Sequence, residues 1–153
     1  MGRMRDSEWQ EFVADGQRVA VLATARRGDR THAVPVWFVL DGEEILFTTP
    51  AASVKGRTIQ RTGRATMLIM DHEPPYSFAM IEGVVDVSRD PGVVHEVTIR
   101  VHERYLPPEQ AAQAAAPLLE EPTELACRLR PESVFAISNV IGTFQAEPSV
   151  QNW

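Results

Sequence analysis

The stretch VAVLATARRGDRTHAVPVWFVLDGEEILFTTPAASVKGRTIQRTGR, residues 19–64, decides the fold. VAVLATA (19–25) is an apolar, β-branched run of strand length. RRGD turns the chain, its RGD at Arg27–Asp29 being read as part of a hairpin turn, and THAVPVWFVL (31–40) reads as a second strand. Asp41–Gly42 is a hairpin signal of the I′ type, and EEILFTT (43–49) is a third strand. Pro35 cannot donate to a ladder, so the second strand is expected at an edge or at a bulge. A short helix is expected from about Ser53 to Thr62, with Ser53 a good N-cap residue.

Outward from this meander the pattern continues. A helix is expected over about 6–16, with Trp9, Phe12 and Val13 on one face, Asp6 or Ser7 as cap and Gly16 as stop. RATMLIMD and SFAMIEGVVDVSR are two further strands, separated by HEPPY (72–76). Asp90 caps, and Pro91 opens, a helix through DPGVVHEVTIRVHERY. PPEQAAQAAAPLLEE is a second helix, and ELACRLR and SVFAISN are closing strands. The tail 141–153 has no clear periodicity. Strands with a helical insertion at about 91–120 imply one mostly β domain of the α+β class over 1–153, an antiparallel barrel with peripheral helices whose strands lie within about 18–140.

Composition narrows the function. The chain has 153 residues, 44% apolar and 24% charged, enough for a core without staples. No run of about 18 apolar residues spans a membrane and no signal core opens the chain, so a cytoplasmic protein is expected. A net charge of −6 argues against nonspecific nucleic-acid binding and makes local positive charge informative. The single Cys127 excludes an internal disulfide, and its alternating context reads as a small core residue. His95 and His102 sit about 10 Å apart on one helical face, too far to share a metal alone, so no metal site is expected. P-loop, dinucleotide-binding and G-x-S-x-G signatures do not occur.

Lys55 is the only lysine among 15 basic residues. It falls with Arg57 near the start of the expected helix, after the hydroxyls of Thr48, Thr49 and Ser53. Basic side chains are unfavourable at that end of a helix, where free N–H groups and the positive dipole favour an anion. The set therefore reads either as a phosphate pocket or as a solvated basic turn. His72 and Tyr76, on the expected loop between strands, are candidate proton donors.

The order of LAT, HAVPVWF, FTT, S-x-K-x-R, R-A-T and PPYSFAMIEG resembles the pyridoxamine 5′-phosphate oxidase-like split-barrel superfamily, over residues 19–88. The resemblance implies a six-stranded antiparallel split β-barrel of the FMN-binding type. It also implies a homodimer with cofactor clefts at the interface and a small-molecule substrate. By resemblance, Ser53, Lys55 and Arg57 hold a cofactor phosphate, with Thr48 and Thr49 beside it, and Val34, Pro35, Val36 and Trp37 line the ring. Residues near Ile69–Met70 and the tail are implied as contributions of the partner chain. The Arg-x-His substrate motif of true pyridoxamine phosphate oxidases is absent at the end, EPSVQNW. The implied function is a deazaflavin (coenzyme F-420)-dependent oxidoreductase passing hydride to a small conjugated substrate; the alternatives are an FMN-dependent oxidase or reductase and a non-catalytic flavin- or haem-binding protein. The preference for F-420 rests on a coding bias towards arginine over lysine.

Overall fold

The computed structural model describes residues 2–120 and 123–143. Its strands are β1 (Gly2–Arg3), β2 (Ala20–Arg26), β3 (Arg30–Val36), β4 (Val39–Asp41), β5 (Glu44–Pro50), β6 (Arg64–Met70), β7 (Phe78–Ser88) and β8 (Glu124–Ser138). Its helices are α1 (Asp6–Ala14), α2 (Val54–Thr62), α3 (Pro91–Tyr105) and α4 (Pro108–Glu120), with a 3-10 turn at Val140–Thr143. The strands form one antiparallel sheet in the order β3-β2-β6-β7-β8-β5-β4, with β1 paired to β8.

Alternation along the strands builds the core. Ala20 and Leu22 of β2, Met67 and Ile69 of β6, Ala79 and Ile81 of β7, and Leu125, Cys127 and Leu129 of β8 all point inward and are buried. Trp9 and Val13 of α1 close one side of this cluster. A second cluster lies outside the sheet, where Val94, Val97 and Val101 of α3 cover Leu46 and Ala126. Each fully buried large side chain contributes about 1.5–3 kcal/mol of transfer free energy.

The sheet departs from the expected six-stranded barrel: it has eight strands and does not close. Two strands are very short, and the expected second strand divides. Phe38 turns wholly into the core while its neighbour Trp37 stays 37% exposed, and β3 and β4 part at that corner. The expected closing strands instead run together as β8, fifteen residues long. Pro131 is accommodated by a register shift at Glu82/Gly83, where a Cβ on Gly83 would collide with the Arg130 carbonyl.

The helix starts follow local chemistry. Asp90 Oδ1 accepts from the Val93 N–H at 3.0 Å, with Pro91 opening α3 as expected. The cap of α1 is different: Arg5, not Asp6 or Ser7, is the N-cap residue, and its N–H donates to Glu8 Oε2 at 2.7 Å. Asp41 pairs with Glu44, so the hairpin loop is Gly42–Glu43. Only Gly42 has positive φ there, the II′ pattern rather than the I′ expected. Pro35 lies on the edge strand β3, as its missing N–H requires. Among the described residues, no helix is long and apolar enough to cross a membrane.

Candidate functional site

One end of the sheet gathers the β2–β3 turn, the end of β5, helix α2 and the start of β8. Ser53 sets the geometry there. Its hydroxyl donates to the Pro50 carbonyl at 2.8 Å, accepts from the Gly56 N–H at 3.0 Å and lies 3.0 Å from Thr49 Oγ1. Its single proton and both lone pairs are thereby engaged in capping α2. Thr49 is 1% exposed and belongs to this internal network, whereas Thr48, half-buried, faces the other side of β5.

Lys55 lies in the first turn of α2, partly buried, with no hydrogen bond or ion pair among the described residues. No acidic residue occupies that turn. Its ammonium does act on Glu124, a carboxylate only 5% exposed at the start of β8, whose register partner is Pro50. Burial pushes the Glu124 carboxyl above its ordinary range, and Lys55 pulls it partly back. An ammonium without a close counter-ion, at the positive end of a helix, is a site for an anion. The Lys55 charge and the N-terminal turn of α2 fit an anion such as a cofactor phosphate, while the Ser53 hydroxyl is here engaged by its cap.

Arg57 leaves the helix elsewhere. Two residues of α-helix turn the side chain by about 200°, and Arg57 lines a cleft with Arg61 and the arginines of the β2–β3 turn. Lys55 and Arg57 therefore do not converge. The expected ring-lining segment lies along edge strand β3, with Val34 half-buried, Pro35 exposed and Val36 buried. Trp37 follows it, stacked on Tyr105 with ring centroids 4.7 Å apart.

His72 and Tyr76 are both exposed on the β6–β7 loop, next to Phe78. Lys55 belongs to the other end of β7, where Ser88 pairs with Ala126 and Arg89 donates to Gln60 of α2. The eleven residues of β7 separate the two ends by about 33 Å of extended chain. A single chain does not bring these proton-donor candidates to Lys55. His102 is buried and bonded through Nδ1 to the Thr98 carbonyl at 2.8 Å. Cys127 is buried and unpaired, as its pattern implies.

An open, mostly antiparallel sheet with four helices is the architecture of an α+β protein of the pyridoxamine phosphate oxidase-like fold. The chain belongs to the pyridoxamine 5′-phosphate oxidase family, whose sequence model matches residues 6–135. No curated protein matches it. Among solved structures, a conserved hypothetical protein from Mycobacterium tuberculosis is 23% identical with a TM-score of 0.75, covering 92% of this chain and 88% of that one. An F-420 reductase is 23% identical with a TM-score of 0.62, covering 81% of this chain and 94% of that one. A haem-binding protein from Mycobacterium smegmatis is 20% identical with a TM-score of 0.65, covering 90% of this chain and 55% of that one. At these identities the structural likeness concerns the fold.

Proposed function

We propose that the chain is an oxidoreductase that holds the deazaflavin F-420 and passes hydride between it and a small conjugated organic substrate. The observation that carries this reading is Lys55: an ammonium without hydrogen bond or ion pair in the acid-free first turn of α2. Lys55 and the N–H groups of that turn would hold the cofactor phosphate. The edge strand β3 offers unpaired backbone groups to a ring, with Trp37 as a flat apolar wall. When bound, the deazaflavin supplies the hydride chemistry, while the protein supplies orientation and exclusion of water. The F-420 reductase among the structural neighbours supports the choice of cofactor.

The reading includes a second copy of the chain. Pro35, Val21, Leu68, Met80 and Phe135 form one apolar row across β3, β2, β6, β7 and β8, in register. Its members lie on the face away from the core and all retain some exposure. A second copy on that face would complete the cofactor cleft and bring its own residues to the substrate side.

Titration of the purified chain with F-420 and with FMN, followed by fluorescence, tests the reading. F-420 should bind, and Lys55→Ala should weaken it about tenfold to a hundredfold, the loss of one charge-assisted contact. Binding of FMN alone would reassign the cofactor, and unchanged affinity in Lys55→Ala would remove the phosphate from this site. Sedimentation should give twice the chain mass of 17.1 kDa.

A further inference from the structure

Arg26, Arg27, Arg30, Arg57 and Arg61 line one cleft of about 330 Å³ between the β2–β3 turn and α2. The other lining residues, Val54 and Thr58, are neutral, and no carboxylate joins them. Helical phase explains the α2 contribution: Val54, Arg57, Thr58 and Arg61 fall on one stripe, and Lys55 lies off it.

Outside the cleft most arginines have a carboxylate partner, and those without one, Arg3, Arg89 and Arg104, stand apart from one another on a ring, a Gln60 amide and backbone carbonyls. Among the described residues, Arg5, Arg18, Arg64, Arg100, Arg128 and Arg130 all pair with carboxylates. None of the five cleft arginines forms such a pair, although the chain carries 21 acidic residues against 15 basic ones. Asp29, between Arg27 and Arg30 in the turn, forms no ion pair with either. Two of the guanidiniums are held in place from behind. Arg57 Nη1 donates to the Ala52 carbonyl at 2.7 Å, and Arg61 Nη2 to the Ala25 carbonyl at 2.8 Å. The side chains of Arg26, Arg27 and Arg30 make no hydrogen bond among the described residues. Five like charges repel one another across such a cleft, and the arrangement relaxes when anionic groups join them. Guanidinium forks match phosphate and carboxylate oxygens in pairs.

We propose that this cleft binds a small polyanion, a chain of two or more phosphates or carboxylates, separately from the anion at Lys55. A lone phosphate reaches only part of the cluster, whereas a linked series of anionic groups spans both the turn and the helix. The net charge of −6 makes an extended nucleic acid a poor occupant, because the surface beyond the cleft repels it. The assignment does not depend on the cofactor proposed for Lys55.

Calorimetric titration of the full chain with tripolyphosphate, with inorganic phosphate as comparator, tests it. Tripolyphosphate should bind the cleft more tightly than phosphate does and more weakly as salt rises, any weaker event at Lys55 being the one that Lys55→Gln removes. The double variant Arg26→Gln, Arg30→Gln should lose about tenfold or more in affinity, and Lys55→Gln should leave it unchanged. A melting curve of each variant checks folding, and Arg27→Gln serves as a second probe from the exposed turn. No binding by the parent chain, or equal affinity in the arginine variants, overturns the proposal. Loss of tripolyphosphate in Lys55→Gln also overturns it, by placing the polyanion on the other face of α2. Failure of the cofactor reading has its own signature, an F-420 affinity indifferent to Lys55→Ala.

Discussion

Trp37 lies flat on Tyr105, with planes 11° apart, and His102 meets the indole edge-on at 5.5 Å. The Tyr105 hydroxyl donates to the Arg18 carbonyl at 2.8 Å and accepts from the Phe38 N–H at 3.3 Å. One phenol thus ties the end of α3 to the approach of β2 and to the β3–β4 corner, and Trp37 rests on that fixed support. Tyr105→Phe keeps the stack and loses the hydroxyl. It should cost about 0.5–1.5 kcal/mol in denaturant unfolding, with tryptophan emission nearly unchanged. Tyr105→Ala also removes the ring. It should cost about 3–5 kcal/mol and shift emission to the red, a shift absent when Trp37→Phe is combined with it.

Glu124 makes stability depend on pH. Burial raises its carboxyl above the ordinary value of 4.5, so the folded chain keeps a proton that the unfolded chain has already released. The proton count favours folding less as pH climbs from the unfolded value through the folded one. Glu124→Gln should therefore stabilise the protein at pH 7, with the gain vanishing near pH 4. Lys55 offsets the buried charge, so Lys55→Ala should lower stability at pH 7 and restore it when combined with Glu124→Gln. Melting temperatures of the four proteins across pH decide this; identical pH profiles for the parent chain and Glu124→Gln would contradict it.

Cys127 sits on the inward face of β8, 1% exposed, and burial, with the nearby Glu124 charge, pushes its thiol up to about 12. A thiol so buried stays protonated at neutral pH and is a poor nucleophile. Labelling with a chromogenic disulfide at pH 8 should be negligible in the native protein. It should rise with denaturant along the same curve as the loss of circular dichroism. Rapid labelling without denaturant would show that the β5–β8 pair opens locally.

Much of this architecture was legible in the sequence because its signals are local. Apolar, β-branched runs of strand length mark β2, β6 and β7, and Ser53, Asp90 and Pro91 mark helix starts by their own chemistry. What stayed hidden depends on distant partners. The break at Trp37–Phe38 comes from Tyr105 on α3. The passage of β8 through Pro131 needs Gly83 on the neighbouring strand. Within the site, the motif around Lys55 is visible in the sequence, and helical periodicity alone separates Lys55 from Arg57 on two faces of α2. The arginine cleft needed the register of the β2–β3 turn against α2, fixed by the Arg61 bond to Ala25. Glu124 occupies an alternating position that reads as surface until its burial is known.

The turn into α2 depends on Gly56 and Ser53 together. A Cβ on Gly56 would collide with the Pro50 carbonyl and lie 3.0 Å from both the Ala51 carbonyl and Ser53 Oγ. Those atoms are backbone and a fully bonded hydroxyl, so none can swing aside. Gly56→Ala should force the first turn of α2 away from β5, at about 1–3 kcal/mol. Ser53→Ala leaves the backbone in place and removes the cap, at about 1 kcal/mol. The two variants therefore differ in what they do to Lys55. Gly56→Ala displaces the turn that carries the ammonium and should weaken cofactor binding as well as stability. Ser53→Ala should reduce stability with a much smaller change in affinity, because the Ser53 hydroxyl has no bond left to give a phosphate. Paired measurements of unfolding midpoint and cofactor affinity separate these outcomes. An affinity loss in Ser53→Ala as large as in Lys55→Ala would show that the serine hydroxyl turns from its cap to the phosphate on binding.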